Sequence, residues 1–268
     1  ERLKMSWNLD NPVPGDIVFI FDVDGTLTPA RKSITPEFCK FFEEWITGKE
    51  VYLASGSDMS KLREQLPEGI LHGVKGVYAS CGNEYYVKDN IFYKNNFEPP
   101  RELVLMLNDH INNKSEYQKR YGNHIEHRSG MLNFSVVGRN ASDEERLKYY
   151  KWDCVSKERE TLAREIEHMF PDIEATVGGQ ISIDIYPKGK DKSQILKDLN
   201  YNRYVFFGDK QQPGGNDHSL AMAIRKKSRF ETHNVKGYKD TWKTLKSLYL
   251  GKICENENCG GCVCVEYQ

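Results

Sequence analysis

The sequence predicts an α/β fold: a parallel, doubly wound (Rossmann-like) core with an inserted α+β cap domain of antiparallel sheet and helices. Two continuous apolar runs, IVFIF at 17–21 and YVFF at 204–207, suit strands that are buried on both faces of a parallel sheet. Between them, residues 95–188 contain amphipathic strands joined by tight turns, which is the pattern of antiparallel hairpins. We therefore assign residues 1–94 and 189–268 to the core and residues 95–188 to the cap.

The core segments alternate between strands and helices, as βαβ units do. Thr35 and Pro36 mark the start of one helix, because threonine is a common N-cap and proline fits the first helical position. The other predicted core elements are strands at 51–54 and near 76–80, helices after Asp58, Asp191 and Asn216, and a last helix near 239–249.

Two hairpins and a capped helix are predicted in the cap. The stretches IEHR-SG-MLNFSVV and IEATV-GG-QISIDIY each place a short turn between alternating strands. In the second hairpin, Ser182 and Asp184 alternate with isoleucines, so both should project from the open face of the sheet. Ser142 and Glu145 have the spacing of a capping box and predict that a helix begins there.

The charge balance argues against some classes of partner. The 38 basic residues nearly cancel the 39 acidic ones and leave a net charge of -1, whereas a nucleic-acid binder would show a clustered basic excess. No stretch approaches the roughly 18 consecutive apolar residues of a membrane span. The first residues are polar and broken by two prolines, unlike a signal peptide. We expect a cytoplasmic protein that binds neither nucleic acid nor membrane.

Four of the seven cysteines, Cys254, Cys259, Cys262 and Cys264, crowd the end of the sequence. Such a group can bind zinc or an iron–sulfur cluster. All four lie close together without a second pair elsewhere, so a reduced, flexible tail is the alternative. The sequence leaves both interpretations open.

The strongest chemical signal is FDVDGTLT at 21–28, in which a buried strand ends at Asp22. Ligands of open α/β sheets bind beyond the carboxyl ends of the strands. Of two carboxylates spaced by one residue, Asp22 can attack phosphorus while Asp24 handles the proton of a hydroxyl group. Their joint negative charge calls for a cation before an anionic phosphate can approach, and oxygen ligands suit Mg²⁺.

This motif resembles the signature of the haloacid dehalogenase superfamily, and the other superfamily motifs follow in order. Ser57, in ASGSD, matches the phosphate-binding hydroxyl group. Lys192, in KGKDK, matches the lysine that balances the charge of an aspartyl-phosphate. Asp209, in FFGDKQQPGGND, matches a magnesium ligand. The resemblance implies a metal site formed by Asp22, Asp24 and Asp209.

A narrower resemblance, from residue 17 to about 218, is to the eukaryotic-type phosphomannomutases. The motifs FDVDGTLTPAR, HRSGMLNFSVVGR, GGQISIDIYP and PGGNDH carry it. It implies that a set of arginines grips the sugar phosphate, and that Ser182 and Asp184 contact the sugar hydroxyls. Arginine is well shaped to hold phosphate with two hydrogen bonds. The implied arginines are Arg31, Arg128, Arg139 and Arg146.

The resemblance also implies a reaction, the interconversion of mannose 1-phosphate and mannose 6-phosphate, with the glucose phosphates as further candidates. Asp22 would take a phosphoryl group from a hexose 1,6-bisphosphate, which serves as activator. Asp24 would donate and accept protons while the intermediate reorients. The family further implies Mg²⁺ as cofactor and a homodimer formed through the cap.

Two other functions compete with this interpretation. A sugar-phosphate phosphatase of the same superfamily would share the core motifs, although it needs no grip on a second phosphate, so the arginine set favours a mutase. A metal- or redox-responsive binding protein would use the cysteine-rich tail, but the intact acid–base and metal motifs argue against it.

The sequence departs from the family pattern at two places in the core. SCG at 80–82 replaces a Glu-Asn-Gly turn. Ala223 and Lys226 stand where the family builds a further cation site. We hypothesise that the Lys226 ammonium takes the place of that cation among backbone carbonyls, with simple exposure on a helix as the alternative.

Overall fold

The computed structural model describes residues 17–249, which form two sheets. The larger sheet has seven strands in the order β11-β10-β1-β2-β3-β4-β5, and the smaller has four in the order β6-β7-β9-β8. No helix in residues 17–249 has the length and apolar character needed to cross a membrane. The strands are β1 Ile17–Phe21, β2 Glu50–Ala54, β3 Gly76–Ala79, β4 Glu84–Val87, β5 Asn90–Lys94, β6 Ile125–Arg128, β7 Met131–Ser135, β8 Ile173–Gly178, β9 Ser182–Pro187, β10 Arg203–Gly208 and β11 Phe230–Asn234.

Helices connect the parallel strands of the large sheet and cover it with apolar side chains. One face carries an aromatic cluster in which Phe21 packs against Phe42, Trp45 and Phe207. The opposite face packs Ile20 and Phe206 against Leu220 of α7. The helices are α1 Pro36–Ile46, α2 Met59–Gln65, α3 Glu68–Gly73, α4 Arg101–Asp109, α5 Asp143–Ser156, α6 Glu158–Met169, α7 His218–Ile224 and α8 Tyr238–Leu248, with a 3-10 helix at Lys192–Lys197 and a π-helical turn at His110–Lys114.

The small sheet has one apolar and one polar face. Leu132, Phe134, Ile183 and Ile185 lie on the apolar face and pack against the helices that cover it. On the polar face, Asn133 pairs with Asp184, since the register of β7 on β9 places them opposite each other. The small sheet therefore turns a row of polar side chains away from its own core.

The predicted fold class is confirmed: a mostly parallel α/β sheet and a separate antiparallel sheet. The predicted parallel core was incomplete, however, because β4 and β5 add an antiparallel extension to one edge and β11 adds a parallel strand to the other. Thr35 stands at the N-cap of α1, as predicted, but its side chain makes no capping bond. Pro36 already fixes the first helical φ angle. The domain boundaries at 94/95 and 188/189 stay a prediction.

Candidate active site

The site lies at the carboxyl ends of β1 and β10, which are neighbours in the parallel sheet. Asp22 directly follows β1 and Asp209 directly follows β10, and the Asp22 N–H donates to Phe207 O at 2.9 Å. Asp217 joins them from the start of α7. One carboxylate oxygen from each of Asp22, Asp209 and Asp217 lies within 4.8 Å of the other two. The sheet edge thus gathers three acidic groups.

A buried lysine offsets part of this negative charge. Lys192 Nζ lies 2.8 Å from Asp22 Oδ1 and 2.6 Å from Asp217 Oδ1. Burial alone would lower the pKa of Lys192, but the charges of Asp217 and Asp22 outweigh it and raise that pKa. Lys192 therefore stays protonated, as its predicted role of balancing charge at Asp22 requires.

The single positive charge of Lys192 cannot balance three carboxylates. The remaining negative charge shows in the pKa of Asp22. Burial and the charge of Asp217 raise the pKa of Asp22 to about 7, against the opposing effect of Lys192. Thr26 Oγ donates a hydrogen bond of 3.1 Å to Asp22 Oδ2. A nucleophilic carboxylate at neutral pH requires more positive charge at this point, which a bound cation would supply.

The donor set fits Mg²⁺, which prefers oxygen ligands in a compact octahedral site. Asp209 Oδ1 is buried and has no hydrogen-bond partner within residues 17–249, so it is available to a cation. Gly25 makes room for the other oxygen, because a Cβ at this position would lie 2.5 Å from Asp209 Oδ2. The three carboxylates, rather than the sequence motif alone, support a magnesium site.

The Asp24 side chain does not belong to this group of three carboxylates, and its predicted role as a metal ligand stays a prediction. Its Oδ1 accepts hydrogen bonds from the Gln65 side chain, at 3.1 Å, and from the Arg31 backbone N–H. Asp217 takes its place among the three carboxylates. Two donors therefore fix the Asp24 carboxylate two residues after Asp22, and its predicted role in proton transfer stays a prediction.

The polar face of the small sheet carries a network of charged and amide side chains. The Glu126 carboxylate binds Arg128 and Arg139 at 2.7 Å each. Arg139 also donates to Asn133 Oδ1 at 2.7 Å, and Asn133 donates to Asp184 Oδ1 at 2.5 Å. These bonds fix the guanidinium groups in place, so that less side-chain entropy is lost when an anion binds.

The four predicted arginines form one positive group. Burial and the charges of Arg128 and Arg146, opposed by Glu126, lower the pKa of Arg139. Burial and the charge of Arg31 lower the pKa of Arg146. Arg31 belongs to the large-sheet part of the chain and also lies 3.8 Å from Asp143 of α5. The group therefore extends from the small sheet towards the loop that carries Asp24.

Ser182 accepts a hydrogen bond from Arg139 Nη1 at 3.3 Å and is buried rather than open to solvent. Its predicted contact with sugar hydroxyls stays a prediction. Burial also raises the pKa of Asp184. Ser57 lies in the loop after β2, where its carbonyl accepts from Ser80 N at 2.8 Å. Its role as a phosphate-binding hydroxyl stays a prediction.

Cys81 lies in the short 3-10 turn after β3, where its carbonyl accepts from Gln194 Nε2 at 2.8 Å. Burial raises the pKa of its thiol to about 12, and the charges of both Lys192 and Asp184 act on it. The thiol is therefore neutral at physiological pH.

Sequence reasoning missed several residues of the site. Asp217 was not among the predicted site residues, although an acidic residue after a glycine pair near Asp209 was a usable signal. Thr26 stood within the motif itself. No pattern pointed to Gln65 or Asn133, because their contacts with Asp24 and Asp184 join distant segments. Glu126 contacts Arg128 on the same strand, but no motif marked it.

Two further expectations have different outcomes. The four tail cysteines lie outside the described residues. Lys226 is exposed after α7, and no hydrogen bond or ion pair within residues 17–249 holds its ammonium. The hypothesis that Lys226 replaces a structural cation is therefore wrong. Hydration stabilises an exposed ammonium group more than contacts with backbone carbonyls would.

Replacing Gly25 by alanine is expected to weaken Mg²⁺ binding by about 10- to 100-fold. Mutations of residues that orient a metal ligand typically have an effect of this size. The new methyl group would push Asp209 Oδ2 away, and the φ of +87° adds backbone strain. Gly48→Ala is the matched control, since its φ is +74° but its new methyl group would have no atom within 4 Å. Calorimetric titration with Mg²⁺ measures both. Equal affinities in the two variants would contradict the proposed fit.

Solved structures with related folds support the architecture. A phosphatase of the haloalkanoate dehalogenase superfamily from Bacteroides thetaiotaomicron superimposes with a TM-score of 0.54 at 15% identity, covering 89% of this chain and 98% of that one. A sugar phosphatase of subclass IIB of the same superfamily superimposes with a TM-score of 0.52 at 16% identity, covering 85% and 97%. At these identities the likeness shows the fold alone.

Sequence relatives are much closer. A phosphomannomutase from Solanum lycopersicum is 37% identical over 245 residues, which covers 88% of this chain and 95% of the relative. A probable phosphomannomutase from Caenorhabditis elegans is 32% identical over 254 residues, covering 90% and 98%. The family model for eukaryotic phosphomannomutase matches residues 38–251. The chain therefore belongs to the eukaryotic phosphomannomutase family.

Proposed function

We propose that this protein is a Mg²⁺-dependent phosphomannomutase that interconverts mannose 1-phosphate and mannose 6-phosphate, with glucose phosphates as alternative substrates. The single observation that carries the proposal is a contact between two unlike groups: Arg31, one of the four arginines, donates its backbone N–H to Asp24, two residues after Asp22. Asp22 belongs to the buried carboxylates around Lys192, and Arg31 belongs to the positive group. The carboxylates around Lys192 suit phosphoryl transfer, and the arginines suit the binding of a phosphate that is not being transferred.

In the first half-reaction, an Asp22 oxygen attacks a phosphorus of hexose 1,6-bisphosphate and the bond from phosphorus to the sugar oxygen breaks. That sugar oxygen takes a proton from the Asp24 carboxyl group, leaving a hexose monophosphate and an aspartyl-phosphate. In the second half, Asp24 removes the proton from the other sugar hydroxyl as that oxygen attacks the aspartyl-phosphate. Asp22 is then regenerated together with a bisphosphate.

The surrounding residues position these groups and balance their charge. Lys192 stays protonated beside Asp22, and Gln65 holds the Asp24 carboxylate. Asp22, Asp209 and Asp217 would hold Mg²⁺, which would neutralise the negative charge that an approaching phosphate brings. The arginines would bind the phosphate that is not reacting, while Ser182 and Asp184 contact sugar hydroxyls.

The direct test supplies mannose 1-phosphate with Mg²⁺, with and without glucose 1,6-bisphosphate, and measures mannose 6-phosphate and inorganic phosphate separately. We expect mannose 6-phosphate to form and the bisphosphate to stimulate it. Inorganic phosphate as the main product would favour the alternative, a sugar-phosphate phosphatase.

Arg146→Ala should lower kcat/KM for mannose 1-phosphate more than it lowers kcat/KM for hydrolysis of a small phosphate ester. We expect the two losses to differ by about 10-fold or more. A charged hydrogen bond to phosphate supplies this difference, and the small ester has no second phosphate to hold. Lys148→Ala, an exposed position on the same helix, is the control. Equal losses on both substrates would show that Arg146 supports the fold, through its bond to Ala141 O, rather than recognition.

We also propose that the binding partners of this chain are hexose phosphates, and that it binds neither nucleic acid nor membrane. We further propose that it acts in the cytoplasm and forms a homodimer through the small-sheet part. The near-neutral charge of -1 argues against a nucleic-acid partner. The family resemblance supports the dimer, and light scattering of the purified protein measures it.

A further inference from the structure

A turn of the small sheet contacts the large sheet at the start of β4. Ser129 and Gly130 form the turn between β6 and β7. Ser129 Oγ donates a hydrogen bond to Glu84 Oε1 at the start of β4. Gly130 lies against the Asn83 side chain so closely that a Cβ on it would be 2.1 Å from Asn83 Cγ. Contact between the two parts of the molecule here is both polar and steric.

The surface that contacts this turn, formed by Asn83 and Glu84, is held in place by its own contacts. Glu84 is only 3% exposed and Asn83 only 1%. The Tyr86 hydroxyl donates to Glu84 Oε2 at 2.8 Å, and Lys94 Nζ lies 3.5 Å from Oε1. The Glu84 carboxylate therefore faces the turn already oriented and partly neutralised, which lowers the cost of binding the serine hydroxyl group.

Asn83 is also bonded to both chain segments that run between the two sheets. Its Oδ1 accepts from Asn95 Nδ2 and from Gln194 Nε2, each at 3.3 Å. Asn95 follows β5 on the way into the small-sheet part, and Gln194 lies in the 3-10 helix on the return. The residue that receives the turn is thus tied to the segments about which the small-sheet part would move.

We propose that Glu84 and Ser129 are positioning residues that hold the small-sheet part over the reacting carboxylates. Arg128 directly precedes Ser129, so docking of the turn fixes the base of a phosphate-binding arginine. This inference rests on the proposed function and adds to it a latch, which we define as the contact of Ser129 and Gly130 with Asn83 and Glu84.

The latch has a chemical consequence during the mutase cycle. While Asp22 carries a phosphoryl group, water can compete with the sugar hydroxyl. A water oxygen attacks phosphorus, the bond between phosphorus and the Asp22 oxygen breaks, and the water proton passes to Asp24. The products are inorganic phosphate and free Asp22. Holding the small-sheet part in place limits access of water, so the latch favours transfer to sugar over hydrolysis.

Ser129→Ala removes the polar half of the latch while leaving the catalytic residues intact. We expect the ratio of inorganic phosphate released to mannose 6-phosphate formed to rise about 10-fold, the size of effect that one charged hydrogen bond gives. Ser247→Ala, an exposed serine on α8, is the control and should leave the ratio unchanged. An unchanged ratio in Ser129→Ala would overturn the role of the latch in partitioning.

Hydrogen–deuterium exchange tests the latch without relying on activity. In Ser129→Ala, we expect faster exchange in two separate segments, the turn at 129–131 and the receiving surface at 83–84. Glu84→Gln keeps an acceptor oxygen and should fall between wild type and Ser129→Ala. Faster exchange in the turn alone would overturn the latch. Should the protein form no mannose 6-phosphate at all, paired changes in exchange would still support the latch, and only the proposed function would fail.

Discussion

Asp22→Asn is expected to reduce isomerisation of mannose 1-phosphate and formation of a phosphoenzyme to background. The amide is a poor nucleophile, and every turnover in the proposed mechanism passes through a phosphoryl group on this residue. The change is nearly isosteric, so the hydrogen bond from Thr26 to Oδ2 can persist. Intact-protein mass spectrometry after brief exposure to glucose 1,6-bisphosphate, followed by peptide mapping, measures the phosphoenzyme and locates it.

Asp24→Asn serves as the comparison for this result. It should slow turnover by about 10²–10⁴-fold, the usual contribution of a positioned acid or base, while the phosphoenzyme on Asp22 still forms slowly. A phosphoryl group trapped on a residue other than Asp22 would contradict the assignment of the nucleophile. Equal and complete loss in both variants, with no trapped phosphate, would show that the two aspartates cannot be assigned separate roles.

The strands at the centre of the large sheet could be predicted because burial on both faces leaves a continuous apolar run, as in IVFIF and YVFF. The edge strands could not. β5 is exposed along most of its length and β11 is only partly buried, so neither needed an apolar run or a regular alternation. The pairing of β4 and β5 also includes a register shift, which disrupts the period of two that predictions rely on.

The site divides in the same way. Asp22 and Asp209 follow strands with strong signals, and their proximity follows from the parallel pairing of β1 and β10. The direction of the Asp24 side chain depends on two hydrogen bonds, one from Gln65 of α2 and one from the Arg31 N–H. Such contacts join residues 41 and 7 positions apart, and no local pattern in a single sequence encodes them.

The arginines show what a resemblance adds. Considered alone, each would be taken for a surface charge, and only the family motifs grouped them. Their partner Glu126 carried no such signal: it shares a face of β6 with Arg128, two residues on, but its contact with Arg139 depends on the path of the loop after β7. A carboxylate between two arginines holds them close together despite their repulsion, and an incoming phosphate can then share the same donors.

Lys192 offers the largest expected effect on stability, because it is the buried cation of the carboxylate group. Its side chain is fully buried, as is that of Asp217, and the side chain of Asp22 is nearly so. Removing one partner of a buried ion pair typically costs about 3–5 kcal/mol, since the remaining charges are left uncompensated. Lys192→Met keeps most of the aliphatic volume and removes the charge, so the loss is not due to a cavity.

We therefore expect Lys192→Met to lower the free energy of unfolding in urea by about 3–5 kcal/mol without metal. Saturating Mg²⁺ should restore part of this loss, because a cation that binds the folded carboxylates stabilises the native state. Lys197→Met, an exposed position in the same 3-10 helix, should change stability by less than about 0.5 kcal/mol. If Lys192→Met is as stable as wild type without metal, its ammonium does not balance the aspartates. If Mg²⁺ stabilises neither the variant nor wild type, the three carboxylates do not share a cation.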